Sequence, residues 1–137
     1  SGQIDDSTVS RAIQRFDDIG MKPDWWKLEP SDSAGAWANI ERTILKNDPL
    51  CRGVLLLGLS APQETLIASF SAAAATPIVK GFAVGRTIFA DAAERWLSGK
   101  IDDEAAIADL GQRFNTLVEA WRNAKANAAP GLKRKAV

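Results

Sequence analysis

The chain has 137 residues, 46% of them hydrophobic, with 17 basic and 17 acidic side chains and a pI near 6.2. This is the size and composition of one ordinary soluble domain, and a zero formal charge sets up no global field for nucleic acid. The chain contains no histidine and no tyrosine, which excludes the common zinc sites, Ser–His and Cys–His nucleophile pairs and a phenolic acid within it. Acid–base chemistry is left to carboxylates, lysine or water. Cys51 is alone, so no intramolecular disulfide forms and the cytoplasm is the expected compartment. No apolar run approaches the roughly 20 residues of a membrane span, and no signal pattern opens the chain, so neither a membrane nor a nucleic acid is an expected partner.

Asp6 or Ser7 offers a cap for a first helix, in which Val9, Ala12, Ile13, Phe16 and Ile19 keep helical spacing up to Gly20. Pro23 closes the turn into a strand from Asp24 to Glu29. Within Trp25-Trp26-Lys27-Leu28-Glu29-Pro30, alternation puts Trp25, Lys27 and Glu29 on one face and Trp26 and Leu28 on the other. A cation in this apolar, aromatic segment has two readings. One is a structural Lys27–Glu29 pair at a strand end; the other is a lysine that attacks a carbonyl and forms a Schiff base. The second needs some free amine, and an ordinary lysine pKa of about 10.4 then calls for desolvation or nearby cations, while Glu29 pushes the other way.

Pro30 ends that strand, and Ser31-Asp32-Ser33 offers caps for a second helix with Trp37, Ile40, Ile44 and Leu45 on one side, closed by Asp48-Pro49. The run from Val54 to Leu59 lacks polar alternation, the pattern of a parallel strand covered on both faces. Pro62 suits the first turn of a third helix with Leu66, Ile67, Phe70 and Ala73 or Ala74 inward, and Ile78 to Ala83 reads as a third strand. Gly85-Arg86-Thr87 opens a helix carrying Ile88, Phe89, Ala92, Ala93, Trp96 and Leu97, which Ser98-Gly99 terminates. Asp102-Asp103-Glu104 starts a long last helix with Ile107, Leu110, Phe114, Leu117, Val118 and Trp121 inward. These acids complement the helix dipole rather than a metal ion. Trp26, Trp37, Trp96 and Trp121 take core positions, and residues 128–137, with Lys133-Arg134-Lys135, read as a flexible basic tail.

The order α-β-α-β-α-β-α-α predicts βαβ units and a parallel sheet, an α/β fold. Three strands are few, so the chain is either a small doubly wound layer with helices on both faces or part of a (β/α)₈ barrel completed by other segments. Gly81, Gly85 and Arg86 suit a phosphate held by backbone N–H groups and the positive end of the next helix, and equally suit a glycine-assisted strand-to-helix turn. Ser60 either adds a phosphate hydrogen bond or caps the helix at Pro62. Lys80, ahead of the third-strand glycines, is the competing lysine.

Taken in order, Trp25 to Pro30, Leu56-Leu57-Gly58-Leu59-Ser60-Ala61 and Gly81-Phe82-Ala83-Val84-Gly85-Arg86-Thr87-Ile88-Phe89 resemble the last three strands of class I, Schiff-base aldolases related to tagatose-1,6-bisphosphate aldolase. Gly81 through Trp96-Leu97, with Ile101-Asp102-Asp103, also looks like the aldolase-type domain fused behind 5-dehydro-2-deoxygluconokinase in bacterial inositol catabolism. The resemblance spans residues 7 to 125 and implies a partial TIM barrel over residues 1–127, supplying strands six to eight. It implies Lys27 as the Schiff-base position, with Glu29 beside it at the catalytic end. Ser60 then ends strand seven, and Gly81, Gly85 and Arg86 belong to strand eight, where barrels commonly bind phosphate. The implied reaction is C–C cleavage of a phosphorylated deoxy-keto sugar acid in cytoplasmic carbohydrate catabolism, without cofactor or metal. Strands one to five, with the family's acid–base carboxylate, would come from a fused segment or from a second copy in a homo-oligomer, so the chain alone is expected to be incomplete. The alternatives are a non-catalytic phosphate-binding or assembly module beside a sugar kinase and an independent flavodoxin-like binding domain.

Overall fold

A computed structural model describes residues 4–128. Its elements are α1 (Thr8–Asp18), β1 (Trp25–Leu28), α2 (Ala34–Asn47), β2 (Gly53–Leu56), α3 (Gln63–Ala74), β3 (Val79–Phe82), α4 (Arg86–Leu97) and α5 (Asp103–Ala128). The three strands form one open parallel sheet in the order β1-β2-β3, accompanied by five helices. The expected tail beyond Ala128 lies outside the described residues.

Local chemistry sets the helix starts. Ser33 Oγ accepts from the Ala36 N–H at 3.1 Å and caps α2, and Asp102 Oδ1 accepts from the Ala105 N–H at 2.9 Å at the start of α5. The acids there do cap a helix. At α1 the organiser is Asp5 rather than Asp6 or Ser7: its carboxylate accepts from the Ser7 N–H at 2.9 Å, and Ser7 makes no side-chain cap of its own.

Trp26, Leu28, Val54, Leu56, Val79 and Phe82 put one face of the sheet against Ile13, Trp37, Ile40, Ile44, Leu66, Phe70, Leu117 and Trp121, which form the core. The Phe70 ring stacks on Phe82 at 5.5 Å and meets Trp121 edge-on at 5.3 Å. The other face carries Trp25, Lys27, Leu55 and Gly81, and no helix among the described residues covers it. Trp25 is 44% exposed, Lys27 is exposed, and nothing lies within 4 Å of where a Gly81 Cβ would stand. Strand β2 is thus covered on one face where its apolar run predicts two, and it stops at Leu56 because the chain turns at Leu59 and Ser60.

Strict alternation fails in β3. Val54 pairs with Val79, but Leu55 pairs with Gly81 and Leu56 with Phe82, so Lys80 drops out of the ladder as a bulge. The bulge reverses the phase of the strand. It sends Phe82 into the core and Gly81 to the open face, while Lys80 Nζ turns back to donate to the Pro77 carbonyl at 2.8 Å.

Helix α4 packs chiefly on α5, with Ala92 and Ala106 at the buried seam. Charge also ties the two helices together. Arg113 bonds Asp91 at 2.8 Å and Asp109 at 2.5 Å, and Arg95 bonds the same two carboxylates. The hydrogen bond from Arg113 holds the Asp109 carboxyl below the usual carboxylate range. Among the described residues no further element packs on the outer sides of the two helices, so Trp96, Leu97, Ile107 and Phe114 are exposed where helical periodicity predicts them inward, Phe114 keeping only an edge contact with Phe82.

Candidate functional site

The carboxyl ends of the three strands open into one cleft of about 340 Å³. Lys27, Ser60, Gly85 and Arg86 all line it. Glu29, exposed one residue beyond β1, and Gly81, on the open face opposite Leu55, are outside its lining.

Each wall follows from its own segment. Lys27 reaches the cleft because its Cα pairs with Leu55 on the uncovered face. Ser60 arrives through a tight turn in which Leu59 (φ 47°) and Ser60 (φ 61°) are both left-handed and the Ala61 N–H closes onto the Gly58 carbonyl at 2.7 Å. Two successive non-glycine residues in that region cost of order 1–2 kcal/mol each, and such strain concentrates at functional sites. Gly85 begins α4 without a side-chain cap; the Ile88 and Phe89 N–H groups donate to its carbonyl at 2.8 and 3.1 Å. The N–H groups of Arg86 and Thr87 precede the first intrahelical bond, so the positive end of α4 opens here.

The electrostatics favour an anion. Lys27 and Arg86 are the charged side chains in the lining, no carboxylate accompanies them, and neither makes a hydrogen bond or ion pair among the described residues. An adjoining cleft of about 320 Å³, which shares Ser60, Arg86 and Thr87 with the first, differs in balance, because Glu64 and Asp91 there offset Arg86 and Arg113. The apolar groove of about 290 Å³ between α4 and α5, around Trp96 and Ile107, carries Asp103 as its one ionisable group, already bonded by Trp96 Nε1 at 2.7 Å.

Lys80 and Lys125 sit at the opposite end of the strands. Lys80 is folded back onto Pro77, and Lys125 donates to the Ala74 carbonyl at 3.1 Å and lies 5.5 Å from the Trp121 ring centre. Burial, reinforced by Lys80, pushes the Lys125 ammonium to a lower pKa, but it lines no cleft with the strand ends. Among the described residues no cluster of three potential metal ligands occurs, and no helix is long and apolar enough to cross a membrane.

The cleft also contains residues that sequence reasoning did not assign to it, among them Gly58, Leu59, Thr87 and Phe89. Gly58 is there for space: a Cβ on it would lie 2.8 Å from Thr87 Oγ1 and 2.9 Å from Val84 Cγ1. Gly58→Ala is therefore expected to destabilise the protein by about 1–3 kcal/mol through overpacking. Denaturant unfolding checks this, and an unchanged midpoint would show that the turn yields freely.

These features define an open parallel α/β protein with a cationic cleft beyond the carboxyl ends of its strands, the place where such sheets bind ligands. Residues 1–125 match the DUF2090 family, described as an uncharacterized protein conserved in bacteria, and the chain belongs to that family. No curated protein and no solved structure matches it.

Proposed function

We propose that the chain supplies strands six to eight of a class I, Schiff-base aldolase-like (β/α)₈ barrel, with Lys27 as the nucleophile and Ser60, Gly85 and Arg86 at the substrate phosphate. The observation that carries this reading is the convergence of those four residues, drawn from three successive parallel strands, in one cleft. The sequential strand order and the restriction of the helices to one sheet face support it, since a barrel keeps its helices outside and fills its inside with side chains of all its strands. The open face with Trp25, Leu55 and Gly81 then turns inward, toward strands from a fused segment or a second copy.

In this reading Lys27 Nζ attacks the ketone carbon of a phosphorylated deoxy-keto sugar acid, and the carbonyl oxygen leaves as water after proton transfer. The resulting iminium accepts the electron pair of the breaking C–C bond and becomes an enamine while the other fragment departs as a carbonyl compound. Protonation of the enamine and hydrolysis of the iminium return the free lysine. Glu29 or a carboxylate of the completing strands moves the protons, and Arg86 with the first N–H groups of α4 anchors the phosphate and fixes the reacting bond over Lys27. The setting is cytoplasmic carbohydrate catabolism of the inositol type, beside a sugar kinase.

Borohydride reduction with a ketose phosphate tests the reading in the full-length protein that carries this chain. A covalent adduct is expected on Lys27, absent in Lys27→Met and absent from Lys80 and Lys125. Mass-mapped protein with no Lys27 adduct would overturn the mechanism. The position of Glu29 outside the cleft lining favours one second reading, a non-catalytic phosphate-binding module. Phosphate-dependent thermal stabilisation with no trapped adduct would select it.

A further inference from the structure

Thr87 Oγ1 is the one buried side-chain polar atom among the described residues with no hydrogen-bond partner, and it exposes less than 1 Å². It stands against the loop backbone, 2.8 Å from where a Gly58 Cβ would be. A threonine hydroxyl in a helix ordinarily bonds a carbonyl three or four residues back. Thr87, in the first turn of α4, makes no such bond. Native proteins seldom keep a buried hydroxyl unpaired without a use for it.

Its surroundings indicate the missing partner. Lys27 and Arg86 in the same cleft also lack acceptors among the described residues, as do the leading N–H groups of a helix with no side-chain cap. The turn above the hydroxyl holds Leu59 and Ser60 in the left-handed region. The cleft thus gathers donors of four kinds and lines itself with no carboxylate. What it lacks is a compact group rich in acceptor oxygens.

We propose that Thr87 is a ligand of the anion bound in this cleft: rotation about its Cα–Cβ bond carries the Oγ1–H from Gly58 onto a phosphoryl oxygen, beside Arg86 and the first N–H groups of α4. The proposal rests on the phosphate reading above and adds to it a residue that neither the strand ends nor the glycine spacing identify. The ligand is a phosphoryl dianion, free or carried on a sugar.

Thr87→Val keeps the shape and removes the hydroxyl, Thr87→Ser keeps the hydroxyl, and Thr87→Ala is the second deletion should valine disturb packing. Binding of inorganic phosphate and of dihydroxyacetone phosphate to the full chain is measured by calorimetry, and thermal unfolding is followed with and without phosphate. Thr87→Val is expected to weaken binding about tenfold, the loss expected for one hydrogen bond to a charged group, while Thr87→Ser stays close to the wild type. Without phosphate, Thr87→Val should melt no lower than the wild type, because it deletes an unpaired buried hydroxyl. Tighter binding of the sugar ester than of inorganic phosphate, or equal binding of the two, identifies the source of the anion and supports the assignment either way. Equal phosphate affinity in wild type and Thr87→Val overturns the proposal, as does a lower phosphate-free melting temperature with unchanged affinity. A wild type that binds neither probe removes the phosphate reading along with it, whereas binding that ignores the valine removes Thr87 alone.

Discussion

Trp37→Ala is expected to lose about 3–5 kcal/mol of stability, a large share of the roughly 5–15 kcal/mol that holds a domain folded. Trp37 is fully buried at the centre of the core between Ile40, Ile44 and the covered face of the sheet. Its indole N–H donates to the Ser31 carbonyl at 2.9 Å, so one side chain both fills the core and ties the β1–α2 connection to α2. Alanine leaves a cavity that α2 cannot close without drawing its whole buried stripe inward, and it strands the Ser31 carbonyl. Trp37→Phe separates the two effects, retaining most of the volume and losing the bond, with an expected cost nearer 1–2 kcal/mol. Guanidinium unfolding followed by far-ultraviolet circular dichroism reads both. A loss below about 1 kcal/mol for alanine would mean that the core collapses around the gap, contrary to close packing across the sheet. Because Trp37 supports the face opposite Lys27, any loss of Lys27 trapping in this variant should follow its folded fraction.

The same one-sided packing explains which parts of the fold were legible in the sequence. Trp37, Ile40 and Ile44 repeat with the helical period and are buried as that period demands, whereas Leu45, expected on the same side, stands at the edge of that side and is exposed. The face shared by Trp25 and Lys27 follows from period-two alternation in β1. The apolar run from Val54 has no alternation to show which face is covered, and the open face became visible only with the helices in place. The exposure of Trp96 and Ile107 is a matter of partners, because α4 and α5 bury the seam between them and leave their outer sides free.

For the cleft, Lys27, Ser60, Gly85 and Arg86 were legible because parallel topology brings every strand's carboxyl end to one edge. Thr87 was not, because its lack of a partner depends on the Gly58 backbone, which is distant in sequence. Lys125 was invisible for the same reason: no local pattern announces the Ala74 carbonyl or the burial that lowers its pKa. Simple alternation would give β3 the opposite phase, since nothing in Val79-Lys80-Gly81-Phe82 marks Lys80 as the residue to be left out of the ladder.

That bulge gives Gly53→Ala the second large expected effect, roughly 2–5 kcal/mol of destabilisation. Gly53 opens β2 opposite Trp25 at φ +147°, a conformation that L residues rarely adopt. A Cβ there would lie 2.7 Å from the Ile78 carbonyl oxygen and 2.7 Å from Lys80 Cγ. The lysine stem can swing aside. The carbonyl cannot, because it accepts the Val54 N–H at 2.9 Å at the start of the β2–β3 pairing. Relief therefore requires the two strands to part at that end, where the bulge sets the register. A slip that returned Lys80 to the ladder would put Gly81 opposite Leu56 and take Phe82 away from Phe70. It would also move Gly85 and Arg86 relative to Lys27, since β3 leads directly into the turn that carries them. Gly53→Ala should accordingly speed hydrogen exchange at Val79 to Phe82 and abolish the proposed phosphate binding and Lys27 trapping, although the substitution lies at the opposite end of the strands from the cleft. The double variant Gly53→Ala with Lys80→Ala decides the cause. Little recovery is expected, because the clash with the Ile78 carbonyl remains; full recovery would show that the lysine stem alone was the obstacle and that the register does not depend on this glycine.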